Sequence, residues 1–294
     1  MFIDAIEKAA TFTRPVHTIQ RLYNGKQIIP GSATLFFVND GGWAVTCKHV
    51  LEMLLAADRI NKNYLDFRME KQKLSSSVQG KYGMKGLEVK FKLNDDSTIQ
   101  LKNTFVDCVD RMTGFTGHLH PVYDLALIKF EGFSSRLYSG TATFLKDAEK
   151  IKQGKLLCRL GYPFPEFNNF SYNEVNDDIG WTSEGIVQSP RFPLEGMVTR
   201  FLAENNQVYG IEMSTPGLKG QSGGPLFDEH GIIYGMQFST KHLHLGFDMI
   251  DKEIRTNNGV RKVTDYSFLH LGQCIHVEII KQFMKQHNVD FKEG

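Results

Sequence analysis

The hexapeptide Gly220-Gln221-Ser222-Gly223-Gly224-Pro225 constrains this chain more than any other segment. It lies between two strand-like apolar runs, Val208 to Met213 and Ile232 to Phe238. Glycines reach backbone conformations closed to other residues, so neighbouring N–H groups can turn toward one point. Pro225 lacks an N–H and fixes the direction in which the chain leaves. A serine in such a turn acts as a nucleophile only with a base to take its proton and donors to hold an oxyanion. Read alone, the same residues are also those of an ordinary tight turn.

Two further segments bear on that choice. Trp43-Ala44-Val45-Thr46-Cys47-Lys48-His49-Val50 follows a strand-like stretch, Ala33 to Val38, and a turn at Asn39-Asp40-Gly41-Gly42. His49 ends an apolar run and opens a helix-like segment through Val50, Leu51, Leu54 and Leu55. Tyr123-Asp124-Leu125-Ala126-Leu127-Ile128-Lys129-Phe130 places an Asp immediately before a buried-looking strand. Each has a plain structural reading in isolation, a packed histidine and a turn aspartate.

Together the three segments resemble the trypsin-like (chymotrypsin-fold) serine peptidases, in particular the HtrA/Deg-like bacterial branch without a PDZ domain. The order His, Asp, Ser is that family's order. The separations are 75 residues from 49 to 124 and 98 from 124 to 222. Further segments share the likeness. Val89 to Phe105, with a turn at Asn94-Asp95-Asp96-Ser97, resembles the hairpin before the Asp. Leu160-Gly161-Tyr162-Pro163-Phe164 is similar to the Gly-Tyr-Pro turn. Ser183-Glu184-Gly185-Ile186-Val187 is similar to a Ser-Gly-Ile-Val strand with one residue interposed.

The resemblance implies an all-β fold of two six-stranded antiparallel Greek-key barrels in one peptidase domain over residues 1–294. The first barrel is expected at about 31–130, the interbarrel connection at 131–150 and the second barrel at 151–276. Apolar spacing at Phe2, Ile3, Ile6, Ala9 and Ala10 predicts a short N-terminal helix. Val277, Ile280, Phe283 and Met284 predict a closing helix over 277–287. An enlarged insertion follows His49: Leu51 to Glu70 has helical spacing, then the chain turns polar and Gly/Ser-rich to Gly86. The 241–265 stretch, charged and without apolar periodicity, reads as a long loop.

Composition narrows the class. A chain of 294 residues with 41% hydrophobic and 23% charged residues can bury a full core and reads as soluble and globular. With 34 basic against 33 acidic residues, it offers no electrostatic case for nucleic acid or an anionic membrane. The N-terminus is acidic where a secretory signal would be basic, and no stretch approaches a membrane span. Cys47, Cys108, Cys158 and Cys274 are widely spaced and expected as free thiols, which gives the expectation of a cytoplasmic enzyme.

For the site, the resemblance implies Ser222 as nucleophile, His49 as base and Asp124 as its orienting acid. The N–H groups of Gly220 and Ser222 would form the oxyanion hole. Pro216 would lie at the base of the specificity pocket, and Gln237-Phe238-Ser239 would bind substrate backbone. With no carboxylate at position 216, a small or medium apolar side chain is expected there rather than Arg or Lys. Gln221 stands where zymogen-activated relatives carry an Asp that pairs with a new N-terminus, so no N-terminal cleavage is expected.

No cofactor or metal is called for. His118-Leu119-His120 and His242-Leu243-His244 could each offer two ligands on a strand, but no third is identifiable, and they read as exposed histidines. The expected partners are a protein or peptide substrate and a regulatory partner that restrains or switches the site. The alternative to an active serine endopeptidase is a latent or inactive peptide-binding module, to which the large insertions and the unusual Lys48 would belong. A serine esterase places Asp and His after the Ser and sets the Ser on a strand-to-helix elbow, unlike this chain.

Overall fold

The computed structural model of the protein describes residues 1–74, 80–257 and 259–294. Its first sheet holds β1 (Thr13–Leu22), β2 (Ile28–Phe37), β3 (Trp43–Thr46), β4 (Thr98–Phe105), β5 (Gly114–Leu119) and β6 (Ala126–Glu131). They form a curled six-stranded antiparallel sheet in the order β4-β1-β2-β3-β6-β5. The end of β2, from Ala33 to Phe37, is buried without alternation, the mark of a strand covered on both faces. Phe36 meets Phe144 on one side, while Phe37 packs on Phe130 and Tyr138 on the other.

The remaining strands are β7 (Thr143–Phe144), β8 (Leu156–Gly161), β9 (Phe170–Asn173), β10 (Asp178–Trp181), β11 (Phe192–Glu204), β12 (Gln207–Met213), β13 (Pro225–Phe227), β14 (Ile232–Thr256), β15 (Gly259–His276) and β16 (Lys292–Glu293). The second sheet runs β13-β8-β11-β12-β15-β14, and β14 pairs back onto β13. That pairing closes a second barrel, beside which β7 and β16 add parallel edges. β9 and β10 make a separate hairpin. One buried apolar cluster runs through both barrels and includes Leu35, Phe37, Leu127, Phe144, Leu160, Leu226 and Ile275. This is the all-β, two-barrel arrangement of the chymotrypsin-like fold with a helix at each end. All four cysteines are buried thiols, and no described helix is long and apolar enough to cross a membrane.

The helices follow their periodicity. Helix α1 (Ile3–Ala10) buries Ala5 and Ala9, with Asp4 in its first turn and Lys8 in its last, matching the helix dipole. Helix α2 (Lys48–Leu74) begins at His49's predecessor and buries Val50, Leu51, Leu54, Ala57, Tyr64 and Phe67. Its Asn61 amide bonds both the N–H and the C=O of Leu101 on the edge strand β4, at 2.9 and 2.8 Å. An edge that would otherwise present open backbone groups is thereby covered. Helix α3 (Gly80–Lys90) follows, and α4 (Val277–Gln286) buries Val277, Ile280, Phe283 and Met284.

Several expectations are corrected. The first barrel begins at Thr13, not at residue 31, because β1 is paired on both sides, with β2 and β4. The polar, Gly/Ser-rich stretch that ends at Gly86 is helical from Gly80, as the first part of α3; Leu87 docks in a small cluster with Tyr64, Phe67, Tyr23 and Ile99, and tertiary burial overrides weak propensity. The part of that stretch at residues 75–79 lies outside the described residues. The element immediately before the Asn94–Ser97 turn is α3, so Val89 to Phe105 is a helix end and one strand rather than a hairpin. Ser183 to Val187 is not a strand. The 241–265 stretch is not a loop: apart from residue 258, outside the described residues, it is the ribbon by which β14 and β15 run on beyond the barrel. Its side chains, Leu245, Phe247, Ile250 and Val260 among them, stay exposed, so burial imposes no alternation that a sequence would display.

Candidate active site

The start of α2 and the turn before β6 meet through Asp124. Its Oδ1 accepts the His49 backbone N–H at 3.0 Å and its Oδ2 lies 2.7 Å from His49 Nδ1. The backbone of Lys48 also bonds this carboxylate. These are first-turn N–H groups that a helix leaves without partners, so an acid from another strand caps α2 while orienting its histidine. Partial burial pushes the Asp124 pKa up, but the bonds from His49 and Lys48 outweigh it and hold the carboxyl below its usual value. Asp124 therefore stays ionised and fixes His49 with a proton on Nδ1 and its Nε2 free to accept.

The Asp124 turn is itself braced. His120 Nδ1 accepts the N–H groups of Val122 and Tyr123 at 3.1 and 2.9 Å. Lys48 Nζ donates to the His120 carbonyl at 3.0 Å. The unusual Lys48 thus ties the His49 segment to the Asp124 turn.

Ser222 enters from the second barrel. Gly220 has φ +98°, and a Cβ there would stand 2.8 Å from Pro163 Cα. At Gly223, φ +87°, a Cβ would stand 2.0 Å from the Thr34 carbonyl oxygen. Only glycine fits either position. The loop is pinned to the first barrel by Thr34, fully buried on β2: its N–H donates to the Ser222 carbonyl at 2.9 Å and its Oγ1 to the Gly220 carbonyl at 2.8 Å. Thr46 Oγ1 in turn donates to the Thr34 carbonyl. Gly223 and Gln237 complete the frame through Gly223 N–H to Gln237 O and Gln237 N–H to Gly224 O, at 2.9 and 2.8 Å.

Gln221 is fully buried. Its Oε1 accepts the Leu218 N–H at 3.0 Å and its Nε2 donates to the Phe192 carbonyl at 3.2 Å. The loop is thus held by a neutral amide. Among the described residues, the N–H groups of Gly220 and Ser222 donate to no protein acceptor. Ser222 Oγ likewise makes no hydrogen bond to His49 or to another described residue.

His49, Pro216, Ser222, Gln237, Phe238 and Ser239 line one cleft of about 600 Å³. The sequence-derived residues thus converge, with Asp124 behind His49. Pairing of β14 with β13 stops at Met236, and Phe238 is bulged out of the ladder with β15. From Phe238 onward the β14 edge facing the cleft is open, a template for an added strand.

For metals, Cys47, His49 and Asp124 have ligand atoms within 4.8 Å of one another. His49 and Asp124 are engaged with each other, and the Cys47 thiol donates to the Gln237 carbonyl while burial pushes its pKa well up. The His-x-His pairs do not converge on ligands. His118 stacks between Trp43 and His287, and His244 pairs with Asp248 at 2.6 Å. Sequence reasoning missed Thr34, Lys48's brace, His120 and a buried Arg159 beneath the cleft. Thr34 leaves one signal, a polar residue inside the apolar run Ala33 to Val38.

Residues 31–236 match the model of the trypsin-like peptidase domain. The chain belongs to that family. No curated protein matches the sequence. Among solved structures, "HtrA-type protease AlgW with decapeptide" is similar in fold, with 12% identity, a TM-score of 0.50, and coverage of 97% of this chain and 66% of that one. A structure of an AlgW variant with a tripeptide gives 13% identity and a TM-score of 0.46 over 97% of this chain and 62% of that one. The chain thus spans about two thirds of the length of these proteases.

Proposed function

We propose that the protein is a serine endopeptidase that cleaves peptide bonds through an acyl-enzyme. The observation that carries the reading is His49, held by two bonds to Asp124, on the same cleft as Ser222, whose loop leaves the Gly220 and Ser222 N–H groups without acceptors among the described residues. In this reading Ser222 Oγ attacks the peptide carbonyl and His49 Nε2 takes its proton, then returns it to the leaving amine. Asp124 holds the Nδ1 proton and stabilises the imidazolium. The N–H groups of Gly220 and Ser222 receive the oxyanion, each worth about 3 kcal/mol in such sites. The substrate adds as a strand to Gln237-Phe238-Ser239; the similar fold was seen with a decapeptide. The buried amide of Gln221 supports activity without N-terminal cleavage.

One observation favours a second reading, a latent site or peptide-binding module: Ser222 Oγ is not bonded to His49. Labelling with a fluorophosphonate serine probe separates the two. The peptidase reading expects labelling of the wild-type protein that Ser222→Ala and His49→Ala both abolish. A well-folded protein that takes no label supports the latent or binding reading.

A further inference from the structure

Arg159 on β8 is completely buried, yet among the described residues no carboxylate pairs with it. Its Nη1 donates to Gln237 Oε1 at 2.6 Å, and its Nη2 to the Thr215 carbonyl and Oγ1 at 3.1 and 2.5 Å. Its buried Nε has no hydrogen-bond partner among the described residues. Guanidinium keeps its charge inside proteins, and an uncompensated buried charge is costly. Buried ionisable groups in such surroundings cluster at functional sites, where a ligand can supply the opposite charge.

The place of that charge is legible. Thr215 immediately precedes Pro216, and Gln237 lines the cleft beside Ser222. A Cβ on Gly217 would stand 2.1 Å from Gln237 Nε2, so the amide lies directly under the cleft's floor. Arg159 is thus one side chain behind the surface, its field reaching the cleft through Gln237 and Thr215. Lys219, His242 and His270 also line the cleft, and among the described residues no Asp or Glu lines it. Lys219 is exposed and has no ion-pair partner among the described residues. His242 and His270 have Nδ1 atoms 2.5 Å apart, so one ring donates its proton to the other. The accepting ring then carries its proton on Nε2 and offers a donor.

We propose that the cleft selects substrates with an acidic side chain, Glu or Asp, on the acyl side of the scissile bond. The proposal rests on the peptidase reading and specifies its substrate class. The carboxylate would meet Lys219 and the histidine pair over a floor made positive by Arg159, while Pro216 and Phe238 cover the methylenes. Lys219 acts by contact; Arg159 is a positioning residue that acts through Gln237.

The test is a panel of fluorogenic peptides identical except at that residue: Glu, Gln, Asp, Asn, Leu and Arg. The expected result is kcat/KM at least about tenfold higher for Glu than for its isostere Gln, equivalent to ~1.4 kcal/mol. Lys219→Glu, on the exposed rim, should remove most of that ratio, and Arg159→Met should reduce it where it folds. The ratio is measured within one protein, so a general loss of activity does not move it. Turnover with Leu preferred and Glu no better than Gln overturns the inference and leaves the peptidase reading intact. If no peptide is turned over and no probe labels Ser222, the peptidase reading fails, and binding of the same peptides to the Ser222→Ala protein decides the inference. Glu bound no tighter than Gln there overturns it.

Discussion

At the scale of single residues, the site depends on groups that serve two ends at once. Asp124 orients His49 and caps α2, so its amide analogue separates the roles. Asp124→Asn can still accept the His49 backbone N–H but no longer stabilises an imidazolium or enforces the tautomer. Peptide turnover should fall on the order of 10³–10⁴-fold with a small change in melting temperature. Thr34 is a second such residue. Thr34→Val keeps the shape of β2 but loses the bond to Gly220's carbonyl and the one received from the Tyr162 N–H. The expected stability loss is about 1–2 kcal/mol. Fluorophosphonate labelling should slow by about tenfold or more, because a small displacement of a nucleophile costs more rate than stability. Labelling at the wild-type rate would show that the loop holds itself.

At the scale of elements, the insertion after His49 is tied to the barrels through the β9–β10 turn. Asp177 there pairs with Arg21 of β1 at 2.7 Å and accepts the hydroxyls of Tyr64 on α2 and Tyr172 on β9, each at 2.7 Å. Burial raises the Asp177 pKa, and the Tyr172 and Tyr64 bonds with the Arg21 and Arg68 charges bring it below its usual value. Arg21 is almost fully buried, so Asp177→Ala leaves a guanidinium without its acid. We expect a loss of about 2–3 kcal/mol in denaturant unfolding and earlier proteolysis within α2. Fluorophosphonate labelling of Ser222 should be unaffected, because α2 is fixed at its other end by Asp124. Element by element, the sequence is readable where burial imposes a period. α1, α2 and α4 show their apolar faces in the spacing of their residues. α3 does not, because Gly80, Gly83 and Gly86 read as loop and only its docking on Tyr64 and Phe67 makes it a helix. The β14–β15 ribbon fails for the opposite reason: neither face is buried, so its residues are free of alternation.

At the scale of the whole molecule, acid sensitivity should come first from histidines. His17 of β1 is fully buried, stacked on Phe167, with Nε2 2.8 Å from Ser189 Oγ. Burial lowers its pKa from 6.5 to about 4. The unfolded chain then binds a proton that the folded one refuses as pH falls below 6.5, so stability declines from there to about pH 4. The single-site contribution is ~3 kcal/mol, at about 1.4 kcal/mol per pK unit. His276 and His120 are lowered by burial as well and act with the same sign. Carboxylates held below their usual values, such as Asp177 and Asp124, lose their contribution only at lower pH. Urea melts between pH 7.5 and 4 should show this decline, and His17→Gln should flatten part of it. A flat profile in the wild type would mean that His17 titrates normally.

What depends on neighbours along the chain is legible in the residues alone: a glycine-rich turn able to aim N–H groups, helices marked by apolar spacing, short strands between turns, and the order His49, Asp124, Ser222. Which residues from distant strands hold those parts in place follows from the folded arrangement alone. Thr34 lies 188 positions from Ser222 in the chain and bonds its carbonyl. Asp124 becomes a helix cap only because β6 runs beside β3. Arg159 reads in sequence as one more basic residue among 34, and becomes an uncompensated charge beneath the cleft only when the second barrel closes over it. Propensity and periodicity are short-range and leave a trace in local sequence. Burial, desolvation and hydrogen bonds between barrels depend on what the fold brings together, and one residue's identity does not encode its partner.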